Sequence, residues 1–451
     1  ASLLTRSEIV VSAPETGIIK AGSANISQAG NTTQIDQLSD RAIIDWRKFN
    51  IAGHEQVLFN QPSQNAAILN RVTGQQQSLI QGRLDANGHV LLINPHGIIF
   101  GANSQINVGS LIASTSNISN DNFMAGKLAF EPFGDYQSGI ENHGVISAAE
   151  GGLVALVAPY VSNDGLIQAR LGRVVLAASE QFTLDLYGDE LISLAISNND
   201  TNKLIDSQGQ AINSLIDHSG EINVEGGKAV LITAANAKSV LDQVINVSGV
   251  IKATTVSEHK GQIILSGPQG QVKVSSILDT SGIASNETGG SIDVLGKSIH
   301  LTGDSMLNAS GSTGGGDIHV GGDYQGTGLR DTALNTQIDY GAKLNASALD
   351  NGDAGTVIVW SDDNTYYAGD IDARGGISGG NGGFVEVSGK SVLDFFGFVD
   401  ASADYGLSGQ LLLDPAIVNI DLTDAALISR VLRTGTSTSI FADQDINVNA
   451  I

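Results

Sequence analysis

Asn223-Val224-Glu225-Gly226, Asn246-Val247-Ser248-Gly249, Asp279-Thr280-Ser281-Gly282, Asn308-Ala309-Ser310-Gly311, Asn345-Ala346-Ser347, Asp372-Ala373-Arg374-Gly375 and Asp400-Ala401-Ser402 are one turn phrase written seven times. Successive starts lie 23, 33, 29, 37, 27 and 28 residues apart. A glycine phrase keeps step with it at Gly289-Gly290, Gly315-Gly316, Gly355 and Gly382-Gly383. Between these marks the chain alternates with period two, as in Gln262-Ile263-Ile264-Leu265-Ser266 and Gly355-Thr356-Val357-Ile358-Val359-Trp360, the pattern of short strands. Short strands, without helices, on a coil-length recurrence of about 20–30 residues are the mark of a β-solenoid. Each coil holds about three strands and buries its apolar face only by stacking on its neighbours. A β-sandwich turns every 8–12 residues but lacks the second, longer period. The expected fold is therefore all-β, a parallel β-helix.

Composition agrees. Of 451 residues, 55 are Gly, 32 Asn and only 7 Pro, which suits tight turns and excludes a Pro-rich linker or collagen. Hydrophobic residues make up 41% and charged residues 16%, so a core is expected. The 23 basic and 47 acidic residues give a net charge of −24, which repels nucleic acid and anionic membranes. The absence of cysteine excludes disulfides, Cys-ligated zinc and a thiol nucleophile. No apolar run approaches 18 residues, so no membrane-spanning helix is expected. The start at Ala1-Ser2 and the stop at Ile451, just after the strand-like Ile446-Asn447-Val448-Asn449, read as a processed, truncated piece of a longer protein.

Two segments break the pattern. Glu180 to Asp217 reads as a strand pair or flap outside the coils. Thr423 to Gly435 reads as a helix, with Thr423 as N-cap, Leu427, Ile428, Val431 and Leu432 on one face, and Gly435 at the C-terminus. The first ~40 residues are expected to cap the open strand edge.

The first hundred residues carry a resemblance. Asp45-Trp46-Arg47-Lys48-Phe49-Asn50-Ile51, Val57-Leu58-Phe59-Asn60-Gln61-Pro62 and Leu69-Asn70-Arg71-Val72 follow in order. Ile80-Gln81-Gly82, Asn87-Gly88, Leu91-Leu92-Ile93-Asn94-Pro95-His96-Gly97-Ile98 and Val108-Gly109-Ser110-Leu111-Ile112-Ala113-Ser114-Thr115 come after them. Together they resemble the secretion domain of the filamentous haemagglutinin family, the exported partner of two-partner secretion systems, over about residues 5–250. Gly382-Gly383-Phe384-Val385-Glu386-Val387-Ser388-Gly389 and Leu411-Leu412-Leu413-Asp414-Pro415 resemble the family's shafts.

The resemblance implies a right-handed parallel β-helix with an N-terminal cap. It implies a secretion domain at 1–250 and the start of a β-helical shaft or binding region at 251–451. It also implies export through periplasm and outer membrane, the chain crossing unfolded and folding outside. The partner implied is an outer-membrane β-barrel transporter with periplasmic peptide-binding domains. Asn70, Arg71, Val72, Asn94, Pro95, His96, Gly97 and Ile98 match the motifs of the secretion signal. For Asn94-Pro95 a coil-closing turn and a direct transporter contact are compatible readings. His96 stands where the family carries a second Asn, which leaves its role open. An Asn-Pro-Asn-Leu motif is absent near Asn60-Gln61-Pro62, placing the chain nearer the adhesin-like branch.

Chemistry is sparse. The eight histidines, at 54, 89, 96, 143, 218, 259, 300 and 319, show no metal-ligand spacing. Gly314-Gly315-Gly316-Asp317 and Gly321-Gly322-Asp323 are similar to calcium-binding β-roll turns, but the nonapeptide does not repeat. Asp279, Asp372 and Asp400 recur where Asn stands at 223, 246, 308 and 345, an exchange that suits turns and not acid–base work. The Gly pairs lack a following helix for phosphate. Eight Asn-x-Ser/Thr sites, at 25, 31, 117, 199, 246, 286, 308 and 345, are candidates for glycosylation. The expectation is a non-enzymatic, cofactor-free exoprotein, secreted or displayed on the bacterial surface. Its leading role is an adhesin for host surfaces. The alternatives are capture of a host haem carrier through loops near Glu180–Asp217 or Tyr324–Asp339, and the stalk of a cytolysin or contact-dependent toxin.

Overall fold

The structure, a computed structural model, describes residues 13–134, 137–184, 192–194, 204–233, 243–420, 422–442 and 444–448. Its strands form a right-handed parallel β-helix. Each coil contributes one strand to each of three faces. Face 1 holds strands such as Ala67–Val72, His89–Ile93, Leu153–Ala158 and Thr356–Val359. Face 2 holds Ser78–Ile80, Ile98–Phe100, Val161–Asn163 and Asn364–Tyr367. Face 3 holds Arg83–Ala86, Gln105–Val108, Val145–Ala148 and Ile277–Asp279. Faces 1 and 2 merge into one 24-stranded sheet, and face 3 is a 14-stranded sheet.

Register makes the core. On face 3 the central inward residue of each coil stacks on the next: Leu84, Ile106, Ile146, Ile167, Ile222 and Ile251 lead on to Val399. All are buried, and each contributes about 1.5–3 kcal/mol of transfer free energy. The ladder crosses residue 250 without a break, so the segments 1–250 and 251–451 share one core.

The turn phrase sits at the end of face 3, with one correction. Asn223 pairs with Lys252, which continues to Asp279, Asn308, Asn345, Asp372 and Asp400. Asn246 lies instead on face 2, between Asp217 and Lys273. Corrected, the steps from 223 are 29, 27, 29, 37, 27 and 28, a steadier coil length. The side-chain oxygens of Asp279, Asn345 and Asp400 each accept the backbone N–H two residues on, at 3.0 Å. Asn and Asp both offer that oxygen, which is why they interchange.

The glycine phrase has a steric cause. Gly290, Gly316, Gly355, Gly383 and Gly409 stack one above another. A Cβ on Gly355 would sit 1.7 Å from the Gly316 carbonyl oxygen, and one on Gly316 1.9 Å from that of Gly290. Any side chain there would force the coils apart.

At the N-terminal end Ile18–Ala21 runs antiparallel to Arg41–Trp46, and Ala24–Ala29 antiparallel to Thr32–Gln37, covering the first coil's edge as expected. At the other end the helix Leu422–Leu432 packs on Phe398–Asp400. Val431 is buried, and the Arg430 guanidinium lies 4.2 Å above the Phe398 ring. Thr423 falls within the helix, not at its N-cap. Gly435, at φ 98°, ends the segment in the left-handed conformation.

Among the described residues, three excursions leave the coils on face 1. Leu128–Phe130, Phe182–Leu184 and Ile192–Leu194 form a separate antiparallel sheet, so the flap expected within Glu180–Asp217 exists. Residues 185–191 and 195–203 of that segment lie outside the described residues. The excursion 115–139, which the sequence reading missed, supplies the first strand and the short helix Asn120–Met124. Ile118, Phe123, Phe130 and Phe182 cover outward-pointing Ile43, Leu69, Leu91 and Ile112 in a second hydrophobic core. The third excursion is the loop 321–334.

Candidate secretion-signal site

Strands Ala67–Val72 and His89–Ile93 are neighbours on face 1, so the two motif groups lie side by side on consecutive coils. Alternation then sends Asn70 inward, Arg71 outward and Val72 inward. Asn70 is fully buried. Its Oδ1 accepts the Trp46 indole N–H at 3.0 Å, and its Nδ2 donates to the Leu91 carbonyl at 3.3 Å. Val72 fills the core.

Arg71 is a clamp. Its Nε donates to Asn117 Oδ1 at 2.9 Å and its Nη2 to the Ile118 carbonyl at 2.7 Å. Nη1 reaches Asn120 Oδ1 at 3.0 Å and Asp45 Oδ1 at 3.2 Å. One planar fork thus fixes the excursion 115–139 against the first coils, a geometry lysine cannot copy.

Asn94 to Gly97 is the tight turn from face 1 to face 2. Gly97 N–H donates to the Asn94 carbonyl at 3.1 Å, and His96 N–H to Asn94 Oδ1 at 2.9 Å. Asn94 Nδ2 donates to the Gln76 carbonyl and to Ser78 Oγ, both at 3.0 Å. Pro95 presets φ at the second turn position, and Gly97 adopts φ 99°, which favours glycine. Asn94 and Ile98 are fully buried and Pro95 is buried. The turn draws on the backbone N–H of residue 96, which Asn and His both supply. The His96 ring is half-buried, and burial lowers its pKa.

The other motif residues are corner fittings too. Gln61 N–H donates to Asn87 Oδ1 at 2.8 Å, and Asn87 Nδ2 returns to the Gln61 carbonyl at 2.9 Å. Gly88 N–H donates to Gln61 Oε1 at 2.9 Å, and Leu79 N–H to Asn50 Oδ1 at 2.9 Å. Phrases that resemble a signal are largely buried polar groups that satisfy backbone at coil corners.

Beside His96 and Gly97 lies a cavity of about 310 Å³, bounded also by Gln137, Glu141, Tyr160 and Ser207. Glu141 is a buried staple. Its Oε1 accepts the Tyr160 hydroxyl at 2.8 Å and Ser207 N–H at 2.7 Å. Its Oε2 accepts Ser207 Oγ at 2.6 Å and faces His143 Nε2 at 3.4 Å. Burial alone would raise its pKa, but these donors, His143 first, hold it down to about 2. The bond to Glu141, helped by Asp164 2.7 Å from Nδ1, pushes His143 up to about 9.

One coil-step away a polar ladder runs inside: Asn142 Nδ2 donates to Asn163 Oδ1 at 2.7 Å, and Asn163 Nδ2 meets His218 Nδ1 at 3.0 Å. Burial lowers the His218 pKa. The sequence reading missed these groups, because Asn142-His143-Gly144, Asn163-Asp164-Gly165 and His218-Ser219-Gly220 hold one register position on consecutive coils but start 21 and 55 residues apart. Among the described residues no cluster of three or more His, Asp or Glu side chains is placed to hold a metal ion.

Residues 12–276 match the family of TPS secretion domains. The secretion domain of HMW1 from Haemophilus influenzae superposes with a TM-score of 0.72 at 30% identity, covering 87% of this chain and 99% of that one. A heme/hemopexin-binding protein of Haemophilus influenzae is 31% identical over 316 residues, 64% of this chain and 33% of the relative. A second heme/hemopexin-binding protein of that species is 27% identical over 319 residues, 60% of this chain and 32% of the relative. The chain spans about a third of the length of these relatives. It belongs to the TPS secretion domain family, the secreted exoproteins of two-partner systems.

Proposed function

We propose that residues 1–250 are the part recognised by an outer-membrane β-barrel transporter with periplasmic peptide-binding domains, and that residues 251–451 begin a shaft that binds a host haem-carrier protein. No helix among the described residues is long and apolar enough to cross a membrane. The observation that carries the carrier reading is the alignment with heme/hemopexin-binding proteins. It covers 64% of the chain, somewhat more than the secretion-domain match at 12–276. The excursions offer surfaces outside the coils for such a contact. Adhesion to host surfaces is the second reading, favoured by the missing Asn-Pro-Asn-Leu motif. Secreted chain is presented in parallel to purified haemopexin and to host-cell monolayers. Haemopexin binding without cell adherence supports the proposal; adherence without haemopexin binding replaces it with the adhesin reading.

A further inference from the structure

The loop 321–334 is closed at its base by the Ala333 N–H to Gly321 carbonyl bond of 2.9 Å, the form of a compact Ω-loop. It is held rigidly on face 1. Arg330 Nε donates to Asp293 Oδ1 at 3.0 Å, and its backbone N–H to Asp323 Oδ2 at 3.0 Å. Gln325 donates its backbone N–H to Glu386 Oε2 at 3.1 Å and its Nε2 to Asp414 Oδ2 at 2.6 Å. Gly326 rests on the Trp360 indole so closely that a Cβ would lie 2.7 Å from the ring.

What this rigid loop presents is apolar. Leu329 is 103% exposed at its tip, fully extended into solvent. Tyr324, 48% exposed, stands edge-on to Phe384 with centroids 5.7 Å apart. Beside the leucine is a crevice of about 280 Å³ lined by His319, Asp323, Tyr324, Thr327, Ile358 and Phe384. A projecting leucine next to an aromatic-walled hole, on a loop whose ordering is already complete, is the anatomy of a binding hot spot with little left to order on association.

We propose that the loop 321–334 is a docking site for a folded host protein, with Leu329 as the knob, the adjacent crevice as the hole, and a basic rim on the partner. This rests on the carrier-binding reading and names its site. Charge selects the occupant. Near the loop Asp331 and Asp363 are exposed, as are Lys297 and Lys390, and the whole chain carries −24. Two copies of this chain repel one another, whereas a basic-rimmed protein is steered in.

The test titrates the full chain against haemopexin by surface-immobilised binding, comparing wild type, Leu329→Ser, Thr327→Tyr (which fills the crevice from its exposed rim) and Ile283→Ser. Ile283 is 74% exposed on a turn outside the loop and serves as the control. Leu329→Ser is expected to weaken binding about 30-fold, the threshold of a hot spot, and Thr327→Tyr by a similar factor. Ile283→Ser and all circular-dichroism spectra should not change. Tight binding that survives both loop substitutions overturns the docking site while leaving the carrier reading intact. No binding by wild type overturns both. A concentration-dependent dimer of wild type that Leu329→Ser abolishes overturns the choice of occupant, the loop then being an interface between copies.

Discussion

Replacing Asn94 with alanine should loosen one coil corner and leave the distant coils untouched. The side chain makes three hydrogen bonds, to the Gln76 carbonyl, Ser78 Oγ and His96 N–H, all within 2.9–3.0 Å. At about 1 kcal/mol net for each, the substitution costs about 3 kcal/mol. Ser78 is fully buried, so its hydroxyl loses its partner without gaining water. In a solenoid each coil contacts only its neighbours, so the loss stays local. Hydrogen exchange on the purified chain is the assay. Gly97 N–H, bonded to the Asn94 carbonyl, and Ser78 N–H, bonded to the Gly97 carbonyl, should exchange about 150-fold faster. Amides of Asp370–Asp372 and Phe398–Asp400 should not change. Any export defect of this variant would then follow from folding. Unchanged exchange at Gly97 and Ser78 together with lost export would refute this and make Asn94 a residue the transporter reads directly.

Arg71→Lys should free the excursion 115–139, costing about 2–3 kcal/mol of local stability from the lost bonds to Asn117, Ile118 and Asn120. Limited proteolysis should cut within 115–131 first, and intact resistance would contradict the clamp. Ser207 protection should be pH-dependent through its bonds to Glu141. Glu141 is held down to about 2 and His143 pushed up to about 9. The Glu141 contribution is therefore present above about 4.5 and lost as pH falls through about 2. The His143 contribution is present below about 6.5 and lost as pH rises through about 9. Flat exchange at Ser207 from pH 6 to 10 would count against it. Under the loop 321–334, burial pushes Glu386 up to about 7, with nearby Asp414 adding to the shift. The closed loop therefore binds that proton more tightly than an open one. Loop protection should be greatest below about pH 4.5, decline as pH rises, and level off above about 7. Glu386→Gln should abolish that slope, and a persisting slope would exonerate the residue.

The coil architecture was legible because each turn must satisfy the same backbone N–H with the same kind of side-chain oxygen, as Asp279, Asn345 and Asp400 do. Register was less legible. Asn246-Val247-Ser248-Gly249 has the same local form on face 2 that Asp279-Thr280-Ser281-Gly282 has on face 3, and no local rule separates the faces. The excursion 115–139 left only an indirect trace. Runs such as Leu91-Leu92-Ile93 and Leu153 to Ala158 abandon alternation because both sides of face 1 are covered there, the mark of a strand buried on both faces. At the candidate site the turn role of Asn94-Pro95 could be read from the residues themselves. The clamp of Arg71 on Asn117 could not, since it spans 46 residues and depends on an excursion whose path only the packed structure gives.

The central claim is that this chain is exported cargo whose N-terminal coils are recognised by a dedicated outer-membrane transporter. The most direct test expresses the chain with a signal peptide in a Gram-negative host, with and without its cognate transporter, and quantifies folded protein in the medium. The account predicts folded, protease-resistant chain outside the cells only when the transporter is present, with the product retained in the periplasm and degraded when it is absent. Equal export in both strains would contradict the account and reduce the family resemblance to one of fold.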